Sequence, residues 1–226
     1  VFIHRPEPVM VSPEQALPGR SAPVLPAADP HLVLGTDMLR PAGEGEEEIF
    51  LAAGCYWGVE EIMWALPGVV TTSVGFMGGF TPNPTYHEVT TGLTGHTETV
   101  RVVYRVDGEG SALPLILKTF WESHDPTTLN YQGNDVGTQY RSAVFTTTPD
   151  QAELATSSRD TYDQILRKHG KGKIVTEIVD AADTTGYFPA EIEHQQYLIK
   201  VPNGYRCHTK SGVACPMPGS GPLADL

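Results

Sequence analysis

The sequence predicts an α+β chain: a two-layer sandwich with a ferredoxin-like βαββαβ core, long loops and a coil-rich C-terminal tail. Three observations carry that expectation. Runs of strand length and strand period occur at 49–53, 69–74, 97–106 and 138–146. Stripes of helical spacing follow the first and third runs, at 59–66 and 113–120. The resulting order, strand-helix-strand-strand-helix-strand, is the split β-α-β pattern. Around it we expect an extended N-terminal arm over 1–46, an α+β domain over 47–202 and a tail over 203–226.

The elements can be justified in order. Residues 1–46 are rich in Pro, Ala and Gly and hold no steady period, so they read as an extended arm. Ile49-Phe50-Leu51-Ala52-Ala53 is a continuous apolar run, as in a strand buried on both faces. Val59, Ile62, Met63 and Leu66 follow at helical spacing, and Pro67-Gly68 ends that helix. Val69 to Val74 reads as a second strand, and 75–95 as a Gly/Pro-rich loop. Thr97 to Val106 alternates as a third strand. Leu113, Ile116, Leu117 and Phe120 form the next helical stripe, and a fourth strand runs over 138–146. Thr148-Pro149-Asp150-Gln151 has the hydroxyl, proline and glutamine of a capped helix start, and Gly170 follows its end. A last strand at 174–179 and a last helix at 190–199 complete the domain.

Bulk properties exclude several classes. A formal net charge of -12 argues against a general phosphate-backbone binder, so no nucleic-acid partner is expected. No apolar run is long enough to span a bilayer, and no charged-then-apolar leader opens the sequence. Three widely spread cysteines suit reduced thiols in the cytoplasm better than a secreted disulfide scaffold. Nothing demands more than a monomer. Gly75, Gly78 and Gly79 do not make a phosphate-binding fingerprint.

The cysteines carry the chemistry. Cys55, in Gly54-Cys55-Tyr56-Trp57-Gly58, stands where the first strand meets the first helix. A helix start favours a thiolate through its unpaired N–H groups; the plain alternative is a small residue filling space. Cys207 and Cys215 lie in the tail with seven residues between them, which is neither a zinc nor a Cys-x-x-Cys pattern. Cys207-His208 offers a metal too few ligands. Two thiols on a mobile segment suit serial thiol–disulfide exchange. Glu98 shares strand parity with Val100, Val102, Tyr104 and Val106, opposite Arg101 and Arg105. A carboxyl on an apolar face is desolvated and can serve as an acid near neutral pH; a solvated strand-end Glu is the alternative. Tyr86 and Tyr140, on polar loops, could hold a substrate oxygen, and Asp135 could orient a neighbour.

Gly54-Cys55-Tyr56-Trp57-Gly58, Gly95-His96-Thr97-Glu98, Gln132-Gly133-Asn134-Asp135, Gly137-Thr138-Gln139-Tyr140-Arg141-Ser142 and His194-Gln195-Gln196-Tyr197 together resemble the type A peptide-methionine sulfoxide reductases. The resemblance runs from about Ile49 to Cys215. It implies reduction of the S epimer of methionine sulfoxide, free or in proteins, with no metal or organic cofactor. It implies Cys55 as nucleophile, Glu98 as acid, Tyr86 and Tyr140 on the sulfoxide oxygen and Asp135 near them. Tyr56 and Trp57 would receive the substrate methyl group. Cys207 and Cys215 would be the resolving and recycling thiols, passing a Cys55–Cys207 and then a Cys207–Cys215 disulfide to a thioredoxin-like reductant. Two positions depart from the pattern: Tyr56 stands where Phe is usual, adding a hydroxyl expected at the pocket rim, and Thr97 stands where Ala is usual. Two rival readings remain: a cysteine hydrolase using His87, His96 or His194 as base, and a redox sensor built on the tail thiols.

Overall fold

The computed structural model describes residues 7–106, 111–207 and 209–217. His208, beside Cys207, and the last part of the expected tail, 218–226, lie outside the described residues. The strands are β1 (Glu46–Ala52), β2 (Val69–Met77), β3 (Thr97–Arg105), β4 (Tyr131–Gln132), β5 (Asp135–Val136), β6 (Ala143–Thr146), β7 (Glu177–Asp180) and β8 (Phe188–Pro189). The helices are α1 (Tyr56–Trp64), α2 (Tyr86–Thr90), α3 (Leu113–Ser123), α4 (Pro149–Lys168) and α5 (Tyr197–Lys200).

Six strands form one sheet in the order β7-β6-β1-β3-β2-β8. Its central four, β6-β1-β3-β2, pair antiparallel and reproduce the expected plait. β7 extends the sheet parallel to β6 after the α4 crossover, and β8 closes the other edge against β2. One face carries the main core. Ile49, Leu51, Val100 and Val102 meet Val59 and Met63 of α1, Ile116, Leu117 and Phe120 of α3, and Tyr162 and Leu166 of α4. The opposite face is also covered. Phe50, Ala52, Met77, Ala143 and Phe145 make a second cluster there. Two-sided burial is why β1 reads as a continuous apolar run.

The described part of the arm, from residue 7, lies on the domain as coil with one 3-10 turn at Pro13–Gln15. Arg101 of β3 reaches across the second face to donate to the Met38 and Arg40 carbonyls at 3.1 and 2.8 Å. Arg20 makes a two-pronged pair with Glu88 of α2 at 2.9 and 2.7 Å. Val11, Leu25, His31 and Met38 of the arm are buried.

Four element expectations need correction. The loop predicted over 75–95 contains the end of β2 and the whole of α2, whose start is a complete capping box between Thr85 and Glu88. The fourth strand is confined to 143–146. Residues Thr138–Tyr140 form a 3-10 turn instead, and Arg141 donates back to the Thr138 carbonyl at 3.1 Å. The strand at 174–179 shifts to Glu177–Asp180. The helix predicted over 190–199 shrinks to Tyr197–Lys200 because Gln196 is left-handed, at φ 45° and ψ 43°.

Candidate active site

Cys55 is the N-cap residue of α1 and is 8% exposed. Gly54 turns the chain out of β1 with φ 90°, and a Cβ there would stand 2.8 Å from Gln132 Cγ. Only glycine fits that turn and that contact. Burial and the nearby Glu98 carboxyl push the Cys55 thiol far up, while the first-turn N–H groups of Trp57 and Gly58 pull it back. The resting group is therefore a thiol, and the helix start only moderates that; the stabilised thiolate expected from the sequence is not the resting state.

Glu98 lies on the buried face of β3, as its parity predicts, and is 2% exposed. Its Oε2 accepts the Tyr56 N–H at 2.9 Å, which ties it to the first residue of α1. Burial pushes its carboxyl up to about 8, the charge of Asp135 adds to this, and the Tyr56 N–H opposes it. Near neutral pH it carries a proton. Tyr86 opens α2, and its N–H is shared between the two carboxylate oxygens of Glu191 at 3.0 and 3.2 Å. Burial, then Glu98, push its phenol up to about 12. Tyr140 ends the 3-10 turn. Thr97 holds that turn by donating to the Gln139 and Arg141 carbonyls at 3.1 and 2.9 Å, and Arg141 anchors it to Gly78 at 3.2 Å. Thr97 thus faces away from Glu98 and has a role of its own. The Tyr140 phenol is raised by burial and then by Glu98, Tyr86, Asp135 and Cys55. Asp135 accepts the Tyr205 hydroxyl at 3.1 Å and is raised by burial, against hydrogen bonds from Tyr205 and Cys207. The five polar groups therefore form one cluster, each within the field of the others.

The aromatic side is richer than the sequence reading. Trp57 stacks on Tyr197 with ring centroids 4.0 Å apart and donates its Nε1–H to His194 Nδ1 at 3.2 Å. His194 packs on Tyr86 at 4.2 Å. His194 and Tyr197 pack and hydrogen-bond at the site, and their spacing on either side of a left-handed residue is what aims both at Trp57. Tyr56 lies deeper, 1% exposed, against Phe76, Tyr86 and His194 at 5.8, 6.4 and 5.9 Å. Its hydroxyl is buried and has no hydrogen-bond partner among the described residues, so it is not at the pocket rim.

The two tail thiols stand apart. Cys207 is half-buried beside the β4–β5 hairpin, with Sγ 3.5 Å from the Gln132 carbonyl and 3.7 Å from where a Gly133 Cβ would be. Its own carbonyl oxygen lies 3.9 Å from the Cβ position of Gly58 in the first turn of α1. Cys215 is fully buried in the main core. Its N–H donates to Glu122 at 2.7 Å and its carbonyl accepts from Lys118 at 3.2 Å, both on α3. The expected mobile pair is thus one thiol at the site and one packed away. All three cysteines are free.

Among the described residues no imidazole is hydrogen-bonded to Cys55, as the hydrolase reading would require. His96 uses both ring nitrogens, on Gly79 N–H at 3.0 Å and the Thr81 carbonyl at 2.7 Å. His87 is exposed on α2, and His194 Nδ1 is taken by Trp57.

The family model described as Peptide methionine sulfoxide reductase matches residues 47–215. The chain belongs to the peptide methionine sulfoxide reductase family. It is 49% identical over 219 residues to the peptide methionine sulfoxide reductase MsrA of Salinispora arenicola, covering 96% of this chain and 97% of the relative. It is 50% identical over 214 residues to that of Corynebacterium efficiens, covering 95% and 97%. Among solved structures, methionine sulfoxide reductase A of Corynebacterium diphtheriae superposes with a TM-score of 0.82 at 48% identity, covering 93% of this chain and 100% of that one. The similarity to these reductases takes in the arm as well as the plait. No helix among the described residues is long and apolar enough to cross a membrane.

Proposed function

We propose that this chain reduces the S epimer of methionine sulfoxide, free and in oxidised proteins, to methionine, and recovers its thiols from a thioredoxin-like dithiol. The observation that carries this reading is the burial of Glu98 beside the start of α1, in one cluster with Cys55, Tyr86 and Tyr140, where desolvation favours its protonated form. The Cys55 sulfur attacks the sulfoxide sulfur while Glu98 gives its proton to the departing oxygen, which the two phenols hold. The thiol proton replaces the one Glu98 gave. Methionine leaves, and Cys55 keeps the oxygen as a sulfenic acid. The Cys207 thiol then attacks Cys55, forming a disulfide and releasing water. Cys215 exchanges with that disulfide once the tail leaves α3, and the dithiol partner reduces Cys207–Cys215.

In this scheme 47–202 is the catalytic domain and 203–226 the relay tail. A thiol relay of this kind works in a reducing setting, and three widely spread cysteines support the cytoplasm as that setting. The test is a set of serine variants. Cys55→Ser should release no methionine, and Cys207→Ser about one methionine per enzyme before stopping. Repeated turnover by Cys55→Ser would overturn the reading.

A further inference from the structure

The arm enters the fold at a place with a direct line to the aromatic wall. His31 is 1% exposed, and its Nδ1 accepts the N–H groups of Val33 and Leu34, both at 3.1 Å. That assigns the ring proton to Nε2, which donates to Thr72 Oγ1 at 2.8 Å. Thr72 in turn donates to Glu60 Oε1 at 2.9 Å. Glu60, on α1, accepts twice more from one residue: Gln196 Nε2 to Oε1 at 2.8 Å and Gln196 N–H to Oε2 at 2.9 Å. Leu32 of the arm adds a bond from its N–H to Gln196 Oε1 at 3.4 Å.

Gln196 is one of three described non-glycine residues with positive φ. Such a backbone persists only where surrounding contacts over-determine it. Here the contacts are Glu60 and, behind it, the arm. His194, two residues before Gln196, and Tyr197, directly after it, hold Trp57 from its edge and its face. A chain of hydrogen bonds therefore runs from residue 31 to the wall without touching Cys55 or Glu98.

We propose that the N-terminal arm is a working part of the methyl-binding wall: His31 is a positioning residue that, through Thr72 and Glu60, holds Gln196 in its left-handed turn and keeps His194 and Tyr197 clamped on Trp57. The inference rests on the proposed role of Trp57 in receiving the substrate methyl group. A wall that contacts the methyl group in ground state and transition state alike affects KM rather than kcat.

The test uses the full chain with methionine sulfoxide as substrate and dithiothreitol as reductant. His31→Ala should raise KM about 3- to 10-fold, the range for coupling carried through a hydrogen-bonded network, with kcat changed less than about twofold. His31→Gln, which can again donate to Thr72, should recover part of the loss. Gln196→Gly should raise KM similarly, and adding His31→Ala to it should bring little more. In a chain carrying Trp64→Phe and Trp121→Phe, His31→Ala should also shift Trp57 emission to the red. Should His31→Ala not fold, Thr72→Val cuts the same chain at its middle and is read the same way. A KM unchanged from wild type, or effects of the two sites that multiply, would overturn the inference. A wild-type chain that reduces no methionine sulfoxide, yet shows the emission shift, would overturn the proposed activity and leave the coupling standing.

Discussion

Tyr56→Phe removes one atom from the floor of the site, and the structure sets the expected sign. The ring stays where it is, enclosed by Phe76, Tyr86 and His194. The hydroxyl it loses is buried and makes no hydrogen bond among the described residues. A buried, unsatisfied hydroxyl costs about 1–3 kcal/mol of desolvation. Deleting it forfeits only the few dispersion contacts of one oxygen, each about 0.1–0.2 kcal/mol. The balance is a gain of about 1 kcal/mol, which for a chain of this size raises Tm by about 2–4 °C. Thermal melts of both proteins at one pH give the shift, and urea titration gives the free energy. The first chemical step should proceed at an unchanged single-turnover rate, since the phenols assigned to the oxygen are Tyr86 and Tyr140. A lower Tm, or a slower first step, would mean that the hydroxyl has a partner in solution and would refute the reasoning.

Stability should peak near pH 6.5. Burial lowers His31, His96 and His124 to about 4, so between pH 4 and 6.5 the unfolded chain binds more protons and stability rises with pH. Burial raises Glu60 to about 7 and Glu98 to about 8, so above pH 4.5 the folded chain holds more protons and these two pull stability down. Three rising contributions outweigh two falling ones to just below pH 6.5; beyond it the glutamates outweigh the remaining histidine titration, and stability should drop by roughly 1–2 kcal/mol by pH 8, measured by urea titration across pH. Glu98→Gln should slow single-turnover formation of methionine about 100-fold, and the wild-type rate should hold below pH 8 and fall above it. Gly54→Ala should cost about 2–4 kcal/mol through its positive φ and the contact with Gln132, read as a lowered urea midpoint. In the reduced protein a thiol-alkylating reagent followed by mass spectrometry should label Cys207 well before Cys215, and the difference should vanish in guanidinium chloride.

The plait was legible because its strands and its two principal helices announce themselves by period, and Glu98 because strand parity alone puts it on the core side. Cys55 was legible as a helix start for the same reason. The thiol's resting state was not, since burial outweighs the helix terminus and burial is a tertiary property. Helix α2 is five residues long, too short for an apolar stripe, although Thr85 and Glu88 spell its capping box. Gln196 breaks the predicted last helix because its N–H is claimed by Glu60, 136 residues earlier. Arm residues such as Val11, Leu25 and Met38 are buried yet follow no period because they come from coil docked on the domain rather than from one side of a regular element. The docking of Cys215 on α3 likewise depends on Lys118 and Glu122, which no local pattern connects to it.

The seat of Cys215 has a consequence beyond distance. A sulfur that solvent does not touch is closed to peroxide and to stray partners, whereas Cys207 stands partly open beside the hairpin. An oxidant meeting the resting protein can spend itself on one tail thiol and leave the other intact. Under the proposed cycle, the sheltered thiol is a reserve, drawn on only after the tail has left its helix. Oxidative stress raises the need for repair and the danger to thiols together, and the packing against α3 keeps that reserve intact through both.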